Sequence, residues 1–148
     1  MIRELVYFLK HGPKVKRLQA EFDRVGFMKR LVVQADKDGY ADLRTELVGD
    51  LTGDVLEVGT GTGATMPYYR ESAVVTALEP DDEFRAEAEN AARIASAQIT
   101  VVPGTGESLP FEDESFDTVV TATVLCSVTS MSQTLADLKR VLRPGGQA

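Results

Sequence analysis

The chain has 148 residues, 43% of them hydrophobic, one cysteine and a net charge of −7, which favours a single globular domain and excludes a disordered or low-complexity chain. Cys126 alone offers no internal disulfide and no zinc-ligand spacing, and no apolar run reaches the roughly 18 residues that span a bilayer. No signal peptide is visible, so the expected location is the cytoplasm.

The charge is unevenly placed. Residues 1–30 hold eight Lys or Arg against three Asp or Glu, a local excess of +5 that leaves −12 for the remainder. An acidic body argues against nucleic acid as a partner, because phosphate contacts need a basic surface. The basic arm, with Leu5, Val6, Phe8 and Leu9 beside it, has the composition of a segment that touches an anionic membrane from one side; an ordinary helical lid with solvated lysines is the plainer alternative.

In chain order, residues 1–10 form a short apolar stretch broken by His11-Gly12-Pro13. From Lys14 to Gln34, Val15, Leu18, Phe22, Val25, Leu31 and Val32 share one helical face. Asp36-Lys37-Asp38-Gly39 reads as a turn, and residues 40–49 as a third helix with Leu43, Leu47 and Val48 turned inward. Residues 1–49 are thus expected to be a helical lid segment, and residues 50–148 a separate alternating region. His11 beside the breaker reads as a surface residue, with a catalytic base as the alternative. The aromatics Tyr7, Phe8, Phe22, Phe27 and Tyr40 read either as packing of this helical layer or as lining of a pocket.

Strands are expected near 54–58, 74–78, 99–102 and 116–122, and helices near 63–70, 82–96 and 131–142. The second of these helices has Phe84, Ala88, Ala91 and Ala95 on one stripe behind acids at its N-terminus. The third opens on Ser130-x-x-Gln133, a capping-box spacing, and runs out in Arg143-Pro144-Gly145-Gly146. Nearly continuous apolar strands between helices imply an α/β fold, a Rossmann-like doubly wound parallel sheet covered on both faces.

The run Val55-Leu56-Glu57-Val58-Gly59-Thr60-Gly61-Thr62-Gly63-Ala64 is a buried strand passing into a glycine turn. Glycines there let a ligand approach the main chain. Gly59-x-Gly61-x-x-Ala64 satisfies the dinucleotide fingerprint, with Glu79 near the ribose-binding position, so an NAD-dependent reductase is one reading. A phosphate-binding P-loop is excluded, since no Lys-Ser or Lys-Thr follows. Charge separates what remains. Glu57, two residues before the first glycine, would repel a pyrophosphate. S-adenosylmethionine has no phosphate and carries a sulfonium and an ammonium, which an acid at that place favours. Glu79, ending the apolar run 74–78, can accept both ribose hydroxyls.

From Asp54 to Gly146 the chain resembles the class I S-adenosylmethionine-dependent methyltransferases. The resemblance lies in Leu56-Glu57-Val58-Gly59-x-Gly61-x-Gly63, Leu78-Glu79-Pro80, Gly104-Thr105-Gly106-Glu107-Ser108-Leu109-Pro110-Phe111 with Ser115-Phe116-Asp117-x-Val119, and Arg140-Val141-Leu142-Arg143-Pro144-Gly145-Gly146, in that order. Val124-Leu125-Cys126-Ser127-Val128 and Tyr68-Tyr69 are most similar to the alkyl-thiol methyltransferases; quinone C-methyltransferases and phospholipid N-methyltransferases share most of the other motifs. The resemblance implies direct in-line methyl transfer to a small or lipophilic acceptor, with S-adenosylhomocysteine as product. It implies a cofactor set of Glu57, Gly59, Thr60, Gly61, Gly63, Glu79, Pro80, Thr105, Gly106, Glu107 and Thr121, and names no catalytic residue. Thr105 stands where many relatives carry Asp, so adenine recognition would rest more on the Gly106 backbone. Glu107 reads equally as a site residue or an exposed one, and Cys126 as a small buried hydrophobe.

In the family, Pro-Gly-Gly leads into a fifth strand, a helix and two further strands, about a third of the usual domain. Without them the expected sheet is 3-2-1-4 with strand four as an open apolar edge, and a homodimer covering that edge is expected. Binding of S-adenosylmethionine without turnover is the alternative that the short C-terminus raises.

Overall fold

The computed structural model describes residues 23–148. The expected stretch at 1–10, the breaker at His11, the aromatics Tyr7, Phe8 and Phe22 and most of the basic arm lie outside them. Two compact units divide at Ala41/Asp42. In the first, α1 (Arg24–Ala35) is capped by Asp23, whose carboxylate accepts the Gly26 N–H at 2.7 Å. The expected turn follows as a wide helical kink over Asp36–Tyr40.

The second unit begins in α2 (Ala41–Val48), which buries Val48 and leaves Leu43 and Leu47 exposed, not inward as expected. Five parallel strands follow: β1 (Gly53–Val58), β2 (Ala73–Leu78), β3 (Gln98–Val102), β4 (Phe116–Val120) and β5 (Leu142–Gln147), ordered β3-β2-β1-β4-β5. Helix α3 (Asp82–Ile94) links β2 to β3, and α4 (Met131–Val141) links β4 to β5. Side chains alternate across β1. Val55 joins Val48 of α2 with Tyr69, Val75 and Val120 on one face, whereas Leu56 and Val58 join Leu138 and Val141 of α4 on the other. The sheet is therefore covered on both faces, a doubly wound fold. No helix among the described residues is long and apolar enough to cross a membrane.

Two expectations are corrected. The helix expected at 63–70 is a run of turns ending in one 3-10 turn, Met66–Tyr68. Gly61 and Gly63 take φ of 60° and 80°, which no helix accommodates, and Pro67 at the start of the short turn removes a donor. The larger correction is β5. Strand four is not an edge, because Leu142–Gln147 pairs along it, with Phe116 opposite Leu142 and Thr118 opposite Gln147 across a bulge. Pro144 ends the helix and is tolerated in an edge strand. Arg143 pins the strand, donating to Asp117 at 2.8 Å and pairing with Asp54 at 2.9 Å, at the starts of β4 and β1. The open β4 edge that motivated a covering second copy is absent.

Candidate functional site

In parallel sheets of this kind ligands bind beyond the carboxyl ends of the strands, where the order reverses. Here that point lies between β1 and β4, and the residues singled out from the sequence fall at those ends. Gly59 and Thr60 donate their N–H groups to Leu78 O at 2.8 and 3.1 Å, folding the glycine turn back over β2. Gly61 has open space where a Cβ would stand, while a Cβ on Gly63 would come within 2.8 Å of Ala91 Cβ in α3. The first glycine thus leaves backbone accessible, and the second lets the helix close on the turn.

Glu79, just past β2, is 6% exposed, which rules out a merely solvated acid. Its Oε2 accepts the Gly61 N–H at 2.9 Å and its Oε1 the Asp81 N–H at 3.0 Å. Asp81 in turn caps α3, accepting from Glu83 and Phe84 N–H at 3.0 and 3.1 Å. Each Glu79 oxygen keeps a lone pair for a further donor. Pro80, between the two acids, is exposed.

Glu57, near the end of β1, is 1% exposed. Thr65 Oγ1 donates to its Oε1 at 2.5 Å and Tyr69 Oη to its Oε2 at 2.9 Å. Burial pushes its pKa up, opposed by these hydroxyls, by nearby Thr60 and by the field of Arg44 from α2. The Thr60 hydroxyl is buried and, though close to Glu57, makes no well-aligned hydrogen bond. Tyr69 is held protonated by burial and by the adjacent carboxylate. Thr65 and Arg44 escaped the reading of the sequence, and Tyr69 entered it only within the Tyr68-Tyr69 pair, without a role; the hydroxyls four residues apart after the glycine turn were the available signal.

After β3, Thr105 is exposed and pairs with Ser108, whereas Gly106 is buried where a Cβ would press on Thr134 and Val58. Glu107 accepts the Thr129 N–H at 2.5 Å, and this bond holds its carboxyl below the usual range. It fastens the segment between β4 and α4. Thr121 opens that segment half-buried, and Val124 lies so close over Gly59 that a Cβ there would meet it at 2.1 Å. Cys126 is exposed, not buried as expected. Arg140 donates to Asp137 at 2.7 Å, to Asp113 at 2.9 Å and to the carbonyls of Phe111 and Leu109 at 2.7 and 3.0 Å, so it holds the Leu109-Pro110-Phe111 turn against α4.

The chain is 39% identical to a human thiol S-methyltransferase over 97 residues, 62% of this chain and 39% of that protein. Demethylmenaquinone methyltransferase of Tropheryma whipplei is 32% identical over 143 residues, 93% of this chain and 59% of the relative. These curated relatives are thus longer, the chain spanning 39% to 59% of their length. The crystal structure of a SAM-dependent methyltransferase from Aquifex aeolicus superposes with a TM-score of 0.60 at 25% identity, covering 70% of this chain and 58% of that one. The sequence profile described as "Methyltransferase domain" matches residues 56–148, from the centre of β1 through β5. The chain belongs to the methyltransferase domain family.

Proposed function

We propose that this chain binds S-adenosylmethionine at the carboxyl ends of β1 to β4 and serves methyl transfer to a small or lipophilic acceptor. The observation that carries the reading is the joining of Gly61 to Glu79, beside a carboxylate buried at Glu57. The residues fit the cofactor on three counts: an open backbone face at Gly61, a buried Thr60 hydroxyl without a well-aligned partner, and spare lone pairs on Glu79. Glu79 would take the ribose hydroxyls, with Pro80 beside it. The Gly59–Gly63 turn and Glu57 would face the charged methionine end, and Thr105, Gly106, Glu107 and Thr121 would bound the adenine side. When bound, the cofactor supplies a methyl group on a sulfonium, a good leaving group. The chain's own task is then to hold and align the reactants, which is worth up to about 7–11 kcal/mol.

A buried carboxylate beside the turn disfavours pyrophosphate and therefore NAD. Parallel calorimetric titrations with S-adenosylhomocysteine and with NAD test this: saturable binding of the first alone is expected, and binding of NAD alone would overturn the reading. Production of S-adenosylhomocysteine from S-adenosylmethionine with small thiols distinguishes turnover from binding alone. The thiol and quinone acceptors named for the relatives support a small or lipophilic acceptor. The +5 excess in residues 1–30 supports contact with anionic membranes through this arm, where a lipophilic acceptor would be found.

A further inference from the structure

The segment from Thr60 to Tyr69 has little regular structure to hold it. Its main chain closes successive short turns, Gly63 N–H to Thr60 O at 3.0 Å, Met66 to Gly63 at 3.2 Å, Tyr68 to Thr65 at 3.0 Å and Tyr69 to Met66 at 3.4 Å. Such turns have poorer hydrogen-bond geometry than an α-helix and do not reinforce one another over distance. Side chains therefore fix the segment. Near its start, Gly61 is tied to Glu79; toward its end, Thr65 and Tyr69 are tied to the two oxygens of Glu57. Thr65, Tyr69 and Glu57 are 3%, 2% and 1% exposed, so bulk solvent does not reach the carboxylate and these hydroxyls serve it in place of water. An ionised carboxylate in such a place is costly without donors.

We propose that Thr65 and Tyr69 are positioning residues for cofactor binding: by donating to the two oxygens of Glu57 they orient that carboxylate and anchor the glycine turn on β1. The inference rests on the cofactor reading above and deepens it, assigning two hydroxyls outside the expected binding set to the upkeep of the charge beside the turn. The groups facing Glu57 define what else acts on it. Arg44 approaches from α2, with the Tyr68 phenol near it, Thr60 lies at the head of the turn, and the neighbours in register, Ala77 of β2 and Val120 of β4, are apolar. Removing one of these hydroxyls leaves the other, nearby Thr60 and the field of Arg44 to keep Glu57 charged. Its protonation then moves to higher pH.

Calorimetric titration of the whole chain with S-adenosylhomocysteine, from about pH 5 to about pH 8, tests this. In the wild type, affinity is expected to fall on the acid side as Glu57 takes up a proton. Tyr69→Phe and Thr65→Val are each expected to bind roughly tenfold more weakly at neutral pH, with the acid-side fall moved to higher pH. Thr65→Ser, which keeps the hydroxyl, restores the wild-type profile, and Glu57→Gln binds weakly with no such fall. Variants with wild-type affinity, or weakened equally at every pH, would overturn the proposal, as would a wild type whose affinity does not fall in acid. Circular dichroism establishes folding; if Tyr69→Phe does not fold, the Val and Ser variants at position 65 decide alone. A wild type that binds no S-adenosylhomocysteine removes the cofactor reading and this proposal together, whereas a binding wild type with unaltered variants removes only the proposal.

Discussion

Glu57 and Glu79 sit at the ends of neighbouring strands, yet one is paired with hydroxyls and the other with main-chain amides. Burial raises the pKa of Glu57. A carboxyl whose folded pKa lies above its unfolded one contributes stability that is complete below the unfolded value and is lost as pH rises through the folded value. The neutral Glu57→Gln is therefore expected to unfold at a higher temperature than the wild type at neutral pH, with the advantage shrinking as the pH is lowered, while cofactor affinity drops. Thermal unfolding at several pH values checks this; a constant difference would contradict it. Glu79→Ala removes the acceptor of two amides as well as the ribose contacts. It is expected to cost about 1–3 kcal/mol of stability and to weaken S-adenosylhomocysteine binding roughly ten- to a hundredfold, measured by denaturant titration and calorimetry.

At the scale of elements, β5 depends on tertiary contacts more than any other strand. Its sequence, Leu-Arg-Pro-Gly-Gly-Gln, has one apolar residue, and the bulge leaves its ladder with β4 interrupted. Arg143 compensates by pairing with Asp54 and Asp117, and its hydrogen bond holds the Asp117 carboxyl below the usual range. In hydrogen exchange, the amides of Val119 and Val120 are expected to be well protected, since β4 lies between β1 and β5. Arg143→Ala is expected to speed exchange in β5 and at the start of β4 while leaving β1 to β3 unchanged. Uniform acceleration across the sheet would show that the ion pairs are not local to β5. Because Asp117 has a depressed pKa, its contribution is present above the unfolded carboxylate value and lost as pH falls through the folded one; acid should therefore release β5 before the central strands.

Across the whole molecule, charge divides the chain into a basic first 30 residues and a body of −12. Of the exposed apolar residues of the body, Leu43 and Leu47 lie one turn apart on α2, Ile94 ends α3 and Leu135 is on α4. The proposed membrane contact belongs to the basic arm. Co-sedimentation with vesicles is expected to recover more protein on anionic than on neutral lipid, and less as salt is raised, because screening shortens the reach of surface charge. Equal recovery on both lipids would count against the arm as a docking element.

What the sequence determined by itself was the part of the fold carried by local pattern. The apolar runs at 54–58, 74–78, 99–102 and 116–122 and the helical stripes between them announce four parallel strands and their order of appearance, because burial on both faces demands continuous hydrophobicity. Gly59, Gly61 and Glu79 were legible for a similar reason, since a turn that must leave its backbone open and an acid that must face it both stand at fixed offsets from strand ends. The tertiary structure decided the rest. Whether residues 63–70 coil or turn depended on the close approach of α3 to Gly63; whether 142–147 pairs depended on carboxylates at positions 54 and 117. The partners of Glu57 could be known only once the chain had folded Thr65 and Tyr69 back against β1. A buried charge selects its donors by distance in space, and that distance is set by packing.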